Sequence, residues 1–562
     1  MEGIYKIQDN NPFIEKLDFT SIGYYELVQD VDFDAFVIKI FSQNSIKKLV
    51  IPVHLGNAGT RFRGLKLALH IRLTVEIGMG RLIPIIFVSD DDLEDNLFLA
   101  KNNKLNLNYL LLTEGCVLAE ENAVLIQKLA ESQQPIDPLK FKSQVLNRLK
   151  ILPSEEIGKH ALANQWGAFR LDEMAHTLAF EGKKELKNKQ KELYFKYIRS
   201  FNDDYNDLNK VNNTANLTPK TVNSQGKKIL LIDDEANKGW SDVLSKIFIG
   251  ADFQAVTAIN FQQLKIVAEN KIQQEDWDLV LLDLRLNPTE EERSGFIAEG
   301  KIENYSGTKL LQFIKAKNKG TQVIIFTASN KAWNMKSLLD LGADGYFIKE
   351  SPELGFSNDF SKENVDNFLE TAKNCLEKGY LQDIFKQKML IDTELRAKKG
   401  RSTEYDDFLD DLKTQLEISY NTLSHAITPN DFVFAYILIY RVLEIIGDKL
   451  ITKNTTTNES EIDGHLLLNY LWNENSNTIT INTSNSRDSI FKKISGLYHQ
   501  KLGLNDNNFY EKIWWTTFRR NKIIHPNNET PASIRFLEIA KGYNEKGYLE
   551  AFDIVKLIIQ VV

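Results

Sequence analysis

Lys228–Glu235 reads KILLIDDE, four consecutive apolar residues that run straight into three acidic ones. An apolar run without alternation is the pattern of a strand covered on both faces, and the turn after it sets carboxylates at the strand's C-terminal end. Downstream the same logic repeats: SDVLSKIFIG (241–250) reads as helix, WDLVLLDLRL (277–286) as strand, GTKLLQFIKAK (307–317) as helix and QVIIFTAS (322–329) as strand. NMKSLLDLGA (334–343), DGYFIKES (344–351) and NVDNFLETAKNCLEKG (364–379) complete the alternation as helix, strand and helix. Strands alternating with amphipathic helices predict a doubly wound parallel sheet.

The polar residues of this unit gather at the strand C-termini, the edge where open α/β sheets place ligands. They are Asp233 and Asp234, then Asp283, Thr327 and Lys349. Three crowded carboxylates raise one another's pKa unless a cation compensates, and Mg²⁺, which prefers carboxylate oxygen and keeps open positions, is the expected compensator on Asp233, Asp234 and Asp283. Asp283 is then the expected phosphoryl acceptor, with Lys349 pairing the new charge and the Thr327 hydroxyl donating to it.

IDDE, LLDLR, FTAS and YFIKE, in that order, resemble the receiver domains of two-component response regulators, whose fold is flavodoxin-like. The resemblance implies a partner histidine kinase that phosphorylates Asp283, and it assigns Thr327, Tyr346 and Lys349 to the switch, with Tyr346 as the aromatic residue that turns inward. Two features depart from the family. Glu350 stands where a proline usually follows the lysine, and Gly307 comes 24 positions after Asp283, so that NPTEEERSGFIAEGKIENY forms an insertion beside the site.

Upstream, LVIPVHLG (49–56), GLKLALHIR (64–72) and IPIIFVSD (83–90) echo three segments of the receiver-like unit in the same order. Val53 stands for Asp283 and Val88 for Thr327, so this copy keeps the apolar frame without the polar chemistry. Residues 130–200 read as helix; His160 and His176 within them are possible phosphoryl acceptors, though structural histidines are the commoner case. The polar, Asn-rich stretch 201–228 reads as a linker.

At 562 residues the chain exceeds one core. No apolar run approaches the roughly 18 residues a membrane span needs, and the start GIYKIQDNNPF has no signal-peptide pattern, so a cytoplasmic location with no membrane partner is expected. Cys116 and Cys375 have no ligand spacing and are expected to be packing residues. A net charge of −8 argues against a chain built mainly to coat nucleic acid. The sign reverses locally, however: 401–490 carry 6 basic and 14 acidic side chains, 491–562 carry 11 and 7.

The basic end holds FRRNKIIHPNN (518–528). Pro526 should end the helix at His525, where the helix dipole favours the imidazolium form. A titrating His and a permanently charged Arg together can cleave RNA without a metal, through its 2′-hydroxyl. Arg520 and His525 lie about 140° apart round a helix, so one helix alone is a poor site. RNKIIH on a late helix, after the long DFVFAYILIYRVLEIIGDKL (431–450), resembles the R-x4-6-H motif of the HEPN superfamily, all-helical domains whose site forms between two protomers. The resemblance implies Arg520, Asn521 and His525 as the catalytic group, a homodimer, and a 2′,3′-cyclic phosphate product with no cofactor for that step. Trp514 and Phe518, four apart, are expected on the core face of their helix.

The expected architecture is multidomain α/β plus all-α: a degenerate receiver-like domain (1–130), a helical connector (131–200), a polar linker (201–226), a receiver (227–385) and a HEPN-like helical bundle (386–562). The expected function is a response-regulator effector whose phosphorylation controls an endoribonuclease acting on RNA, tRNA among the options, in stress response or antiphage defence. The alternative is a non-enzymatic phospho-switch whose helical domain dimerises or docks a partner.

Overall fold

The computed structural model describes residues 2–56, 62–90, 108–149, 151, 159–177, 191–202, 218–258, 260–286, 305–328, 332–351, 357–484, 488–525 and 533–562. The insertion after Asp283, Pro352, Pro526 and the His160 side chain lie outside them. The chain divides into two compact units, Met1–Phe313 with Gln322–Leu376, and Ile314–Thr321 with Glu377–Val562.

The first unit holds two five-stranded parallel sheets. In the first, β1 (Ile4–Gln8), β2 (Thr20–Gly23), β3 (Lys48–Pro52), β4 (Ile85–Ser89) and β5 (Cys116–Glu120) lie in the order β2-β1-β3-β4-β5. Helices α1 (Asp30–Gln43), α2 (Arg63–Leu73) and α3 (Ala123–Ser132) belong to this half. The helices α4 (Lys159–Ala175) and α5 (Leu193–Asn202) follow. The second sheet comprises β6 (Lys228–Ile232), β7 (Asp252–Val256), β8 (Leu279–Leu282), β9 (Gln322–Thr327) and β10 (Gly345–Ile348), in the order β7-β6-β8-β9-β10. Its helices are α6 (Trp240–Ile247), α7 (Phe261–Gln274), α8 (Ser306–Lys317), α9 (Ala332–Asp340) and α10 (Asn358–Glu377). Every residue of β8 and β9 is buried, as unalternated apolar strands require.

The echo in the sequence is therefore a repeated topology: both sheets run 2-1-3-4-5 in strand order. A glycine recurs with it. A Cβ on Gly64 would overlap the Pro52 carbonyl, and one on Gly307 the Asp283 carbonyl, so each sheet lets a helix close on the end of its third strand through a missing side chain. The registers correct one detail. Pro52 pairs with Val88 whereas Leu282 pairs with Ile325, so when Val53 is aligned with Asp283 the residue level with Thr327 is Asp90, two beyond Val88.

The connector is shared between the two halves. Leu193 of α5 joins the core of the first sheet, and Ala168, Leu171 and Ala175 of α4 join the core of the second. Cys375 is buried in that second core, while Cys116 is half-buried on β5.

In the second unit α11 (Tyr380–Ala397), α12 (Thr403–Ser424), α13 (Pro429–Leu450), α14 (Ile490–Gly496), α15 (Asn507–Ile524) and α17 (Glu545–Ile558) surround one apolar cluster, to which α16 (Ser533–Ala540) adds no described residue. The sequence marks the start of α13 with Pro429 at N1 and a reciprocal Thr428–Asp431 capping box. After 473 the alternation of TITIN makes a hairpin: β12 (Thr478–Asn482) pairs antiparallel with β11 (Asn469–Asn473), and Asn477 takes the positive φ of the turn. The expected core face of α15 holds in part: Phe509, Tyr510, Ile513, Thr516 and Arg519 are its buried residues, Trp514 packs half-buried against the apolar cluster, and Phe518 is half-buried outside it and stacks on Trp514, ring centroids 5.2 Å apart.

Candidate phosphoacceptor site

Asp233 and Asp234 directly follow β6, Asp283 follows β8, Thr327 ends β9 and Lys349 follows β10, so the sheet delivers all five residues to one edge. Backbone pairing holds them there: the Asp283 N–H donates to the Ile232 carbonyl at 2.9 Å and the Lys349 N–H to the Thr327 carbonyl at 2.7 Å. Carboxylate oxygens of Asp233, Asp234 and Asp283 lie within 4.8 Å of one another. An all-oxygen set such as this could hold a hard divalent cation, which would supply charge neutralisation at the acceptor.

The Lys349 ammonium donates to Asp233 Oδ2 at 2.7 Å and to Asp283 Oδ2 at 2.6 Å. It lies near the rings of Trp240 and Phe326, 5.5 and 5.4 Å from their centroids. Burial pushes the Asp283 carboxyl up to about 6, with Lys349 pulling against it and Asp233 reinforcing it. Burial acts to lower the Lys349 pKa, but Asp233 and Asp283 outweigh it and hold the amine above its ordinary range. One buried ammonium thus serves two carboxylates, with a third beside them, so carboxylates outnumber the cation at this edge. Thr327 is buried at the pocket and Tyr346 is half-buried on β10.

Three features escaped sequence reading, and all come from α4. Asn164 Oδ1 accepts the Trp240 indole N–H at 2.9 Å and lies 3.5 Å from Lys349 Nζ. Arg170 donates to Glu350 at 3.1 Å and to the Ser361 hydroxyl at 2.8 Å. A Cβ on Gly167 would stand 2.6 Å from the Glu350 carbonyl oxygen. The departure at Glu350 now has a physical account, since a carboxylate here pairs a buried arginine that a proline could not. The one local trace was Ala163 and Gly167, four apart on one face of α4, which permits a close approach without saying to what.

The first sheet lacks this chemistry. Val53 is buried at the acceptor position and no lysine occurs in CVLAEEN after β4. The carboxylate that directly follows its first strand, Asp9, accepts the backbone N–H of Asn11 at 2.9 Å and of Gly56 at 3.1 Å.

In the second unit Arg520 donates to Glu444 at 3.0 Å and to Asn521 Oδ1 at 3.2 Å, and lies over the Tyr440 ring. His525 is exposed at the C-cap of α15. Among the described residues no hydrogen bond or ion pair joins Arg520 to His525. The adjacent Arg519 is the buried one, paired with Glu538 at 2.9 Å and Glu550 at 2.8 Å.

Residues 6–119, about a fifth of the chain, match the family model described as Inactive Receiver domain, and this span carries the first parallel sheet. No curated protein matches the chain. Among the described residues no helix is long and apolar enough to cross a membrane. An inactive receiver domain beside a second sheet of the same topology suggests a signalling, phospho-switch role.

Proposed function

We propose that the chain is a phosphorylation-controlled switch in which Asp283 accepts a phosphoryl group from a sensor histidine kinase and the C-terminal helical unit is the output. The observation that carries it is the Lys349 ammonium shared between Asp233 and Asp283 beside a third carboxylate. In the transfer a carboxylate oxygen of Asp283 bonds to phosphorus as the phosphorus–nitrogen bond of the donor histidine breaks, and that nitrogen keeps the electron pair. Asp233, Asp234 and Asp283 would hold Mg²⁺, which offsets the charge of the incoming group. Lys349 then turns from Asp283 to a phosphoryl oxygen, and Thr327 and Tyr346 follow it as the switch. Phosphorylation replaces the single charge of the Asp283 carboxylate with the close to two of a phosphoryl group, a net gain of about one negative charge in a buried pocket, which can bias a two-state element.

The test is labelling of the full chain by a small acyl phosphate with Mg²⁺, read by phosphate-affinity electrophoresis. Wild type should shift and Asp283→Asn should not; equal labelling of both removes Asp283 as the acceptor.

For the output, a HEPN-type, metal-independent ribonuclease using Arg520, Asn521 and His525 is favoured by the Arg520–Asn521 contact and by an exposed His525 one helical turn beyond Asn521. Its role would be growth arrest by RNA cleavage, tRNA among the substrates, in stress or phage infection. Total RNA incubated in EDTA should acquire 2′,3′-cyclic phosphate ends. If it does not, the helical unit is a dimerisation or docking module.

A further inference from the structure

The pocket at Asp283 has a wall that does not come from its own sheet. A cavity of about 170 Å³ is lined by Asp283, Thr327, Lys349 and Glu350, and by Ala163 and Asn164 of α4. That volume is well above the ~10–15 Å³ one water needs by the same measure. Helix α4 grips the Lys349–Glu350 step at three successive points along one face. Asn164 contacts the ammonium, Gly167 admits the Glu350 backbone, and Arg170 takes the Glu350 carboxylate. The indole N–H of Trp240 can only donate, so it fixes which end of the Asn164 amide is the oxygen and aims that oxygen near Lys349.

We propose that α4 reads the phosphorylation state of Asp283, with Asn164 as a positioning residue that competes with the phosphoryl group for Lys349. The inference rests on the reading of Asp283 as acceptor. Before phosphorylation Lys349 has three oxygen partners, Asp233, Asp283 and Asn164. A phosphoryl oxygen on Asp283 draws the ammonium toward itself and away from the long 3.5 Å contact, and α4 loses one of its three holds on the pocket rim. Linkage makes the effect reciprocal: whatever weakens α4 at Lys349 strengthens anion binding at Asp283 by the same factor.

Beryllofluoride with Mg²⁺, the probe for the phosphorylated state, tests this on the full chain. On binding, backbone amides of Ala163–Ala175 should exchange faster with deuterium. Asn164→Ala, which removes the competing oxygen, should bind beryllofluoride several-fold tighter, and Asn164→Asp, which holds Lys349 harder, several-fold more weakly. Gly167→Ala, whose Cβ pushes α4 off Glu350 without touching the carboxylates, should act in the direction of Asn164→Ala. A merely structural role would weaken binding in all three variants, and that result overturns the inference. So does beryllofluoride binding that leaves α4 exchange unchanged. Failure of wild type to bind beryllofluoride at all instead overturns Asp283 as the acceptor.

Discussion

At the scale of single residues the second sheet works by sharing charge. Lys349 and Arg170 are each buried, and each serves more than one acidic or polar partner. Breaking such a pair from one side costs more than the pair contributes, because the abandoned charge stays behind. Arg170→Ala leaves the Glu350 carboxylate, 5% exposed, without its guanidinium and should lower stability to urea by about 3 kcal/mol. Glu350→Gln on that background should recover much of the loss; additive losses in the double variant would show that the two side chains do not act as a pair. The acidic cluster was legible in the sequence because its members lie at strand ends whose apolar runs fix their position. Arg170 and Asn164 were not legible. Their partners are 180 and 185 residues away, and nothing local to α4 distinguishes a helix that packs on an active edge from one that packs elsewhere.

At the scale of elements the first sheet, though stripped of its acceptor, still holds α5 through a buried polar network. Lys196 of α5 donates to Asp34 at 2.9 Å, lies 3.1 Å from His70 Nδ1 and bonds the Thr74 hydroxyl. On the other side of the ring His70 Nε2 faces Asp30 at 3.4 Å, and Phe33 stacks on its face. Burial, with the Lys196 ammonium adding to it, pushes the imidazole down to about 3 against the pull of Asp30. A histidine held neutral in the fold and free to protonate near 6.5 when unfolded contributes stability that is complete above 6.5 and lost as pH falls toward 3. Asp30, whose own pKa is lowered by His70 and Lys66 despite burial, begins to cost stability only below its unfolded value of 3.8. Asp283, raised to about 6 in the fold, gains a proton in the same window as His70 and works in the opposite sense, so the His70 effect is read on Asp283→Asn, whose urea unfolding followed from pH 6.5 to 5.5 should lose about 1 kcal/mol. His70→Gln should flatten that slope; an unchanged slope would place the titration elsewhere. The sequence offered no hint of this network, since Asp34, His70 and Lys196 meet only after α5 returns to the first sheet.

At the scale of the molecule, two sheets of one topology have diverged in what their third strand ends with, valine in one and aspartate in the other. The topology was readable from alternating apolar and amphipathic segments, as was the helical character of the last third. The partnership of Arg520 with His525 was not readable, because spacing along a helix says only that the two residues do not share a face. In the structure Arg520 is committed to Glu444 and Tyr440, whereas His525 faces solvent at the end of α15, so a working pair needs the second residue from another copy. That requirement separates the two readings of the helical unit. If each site takes arginine from one chain and histidine from its partner, Arg520→Ala and His525→Ala are each inactive alone, yet a mixed dimer of the two rebuilds one intact site. Random exchange makes half the dimers mixed and repairs one of two sites in each, so about a quarter of wild-type RNA cleavage should return on mixing. Cleavage by either variant alone at the wild-type rate would remove that residue from the chemistry. Silence after mixing, with exchange verified by mass, would mean that the arginine and histidine do not meet across the interface.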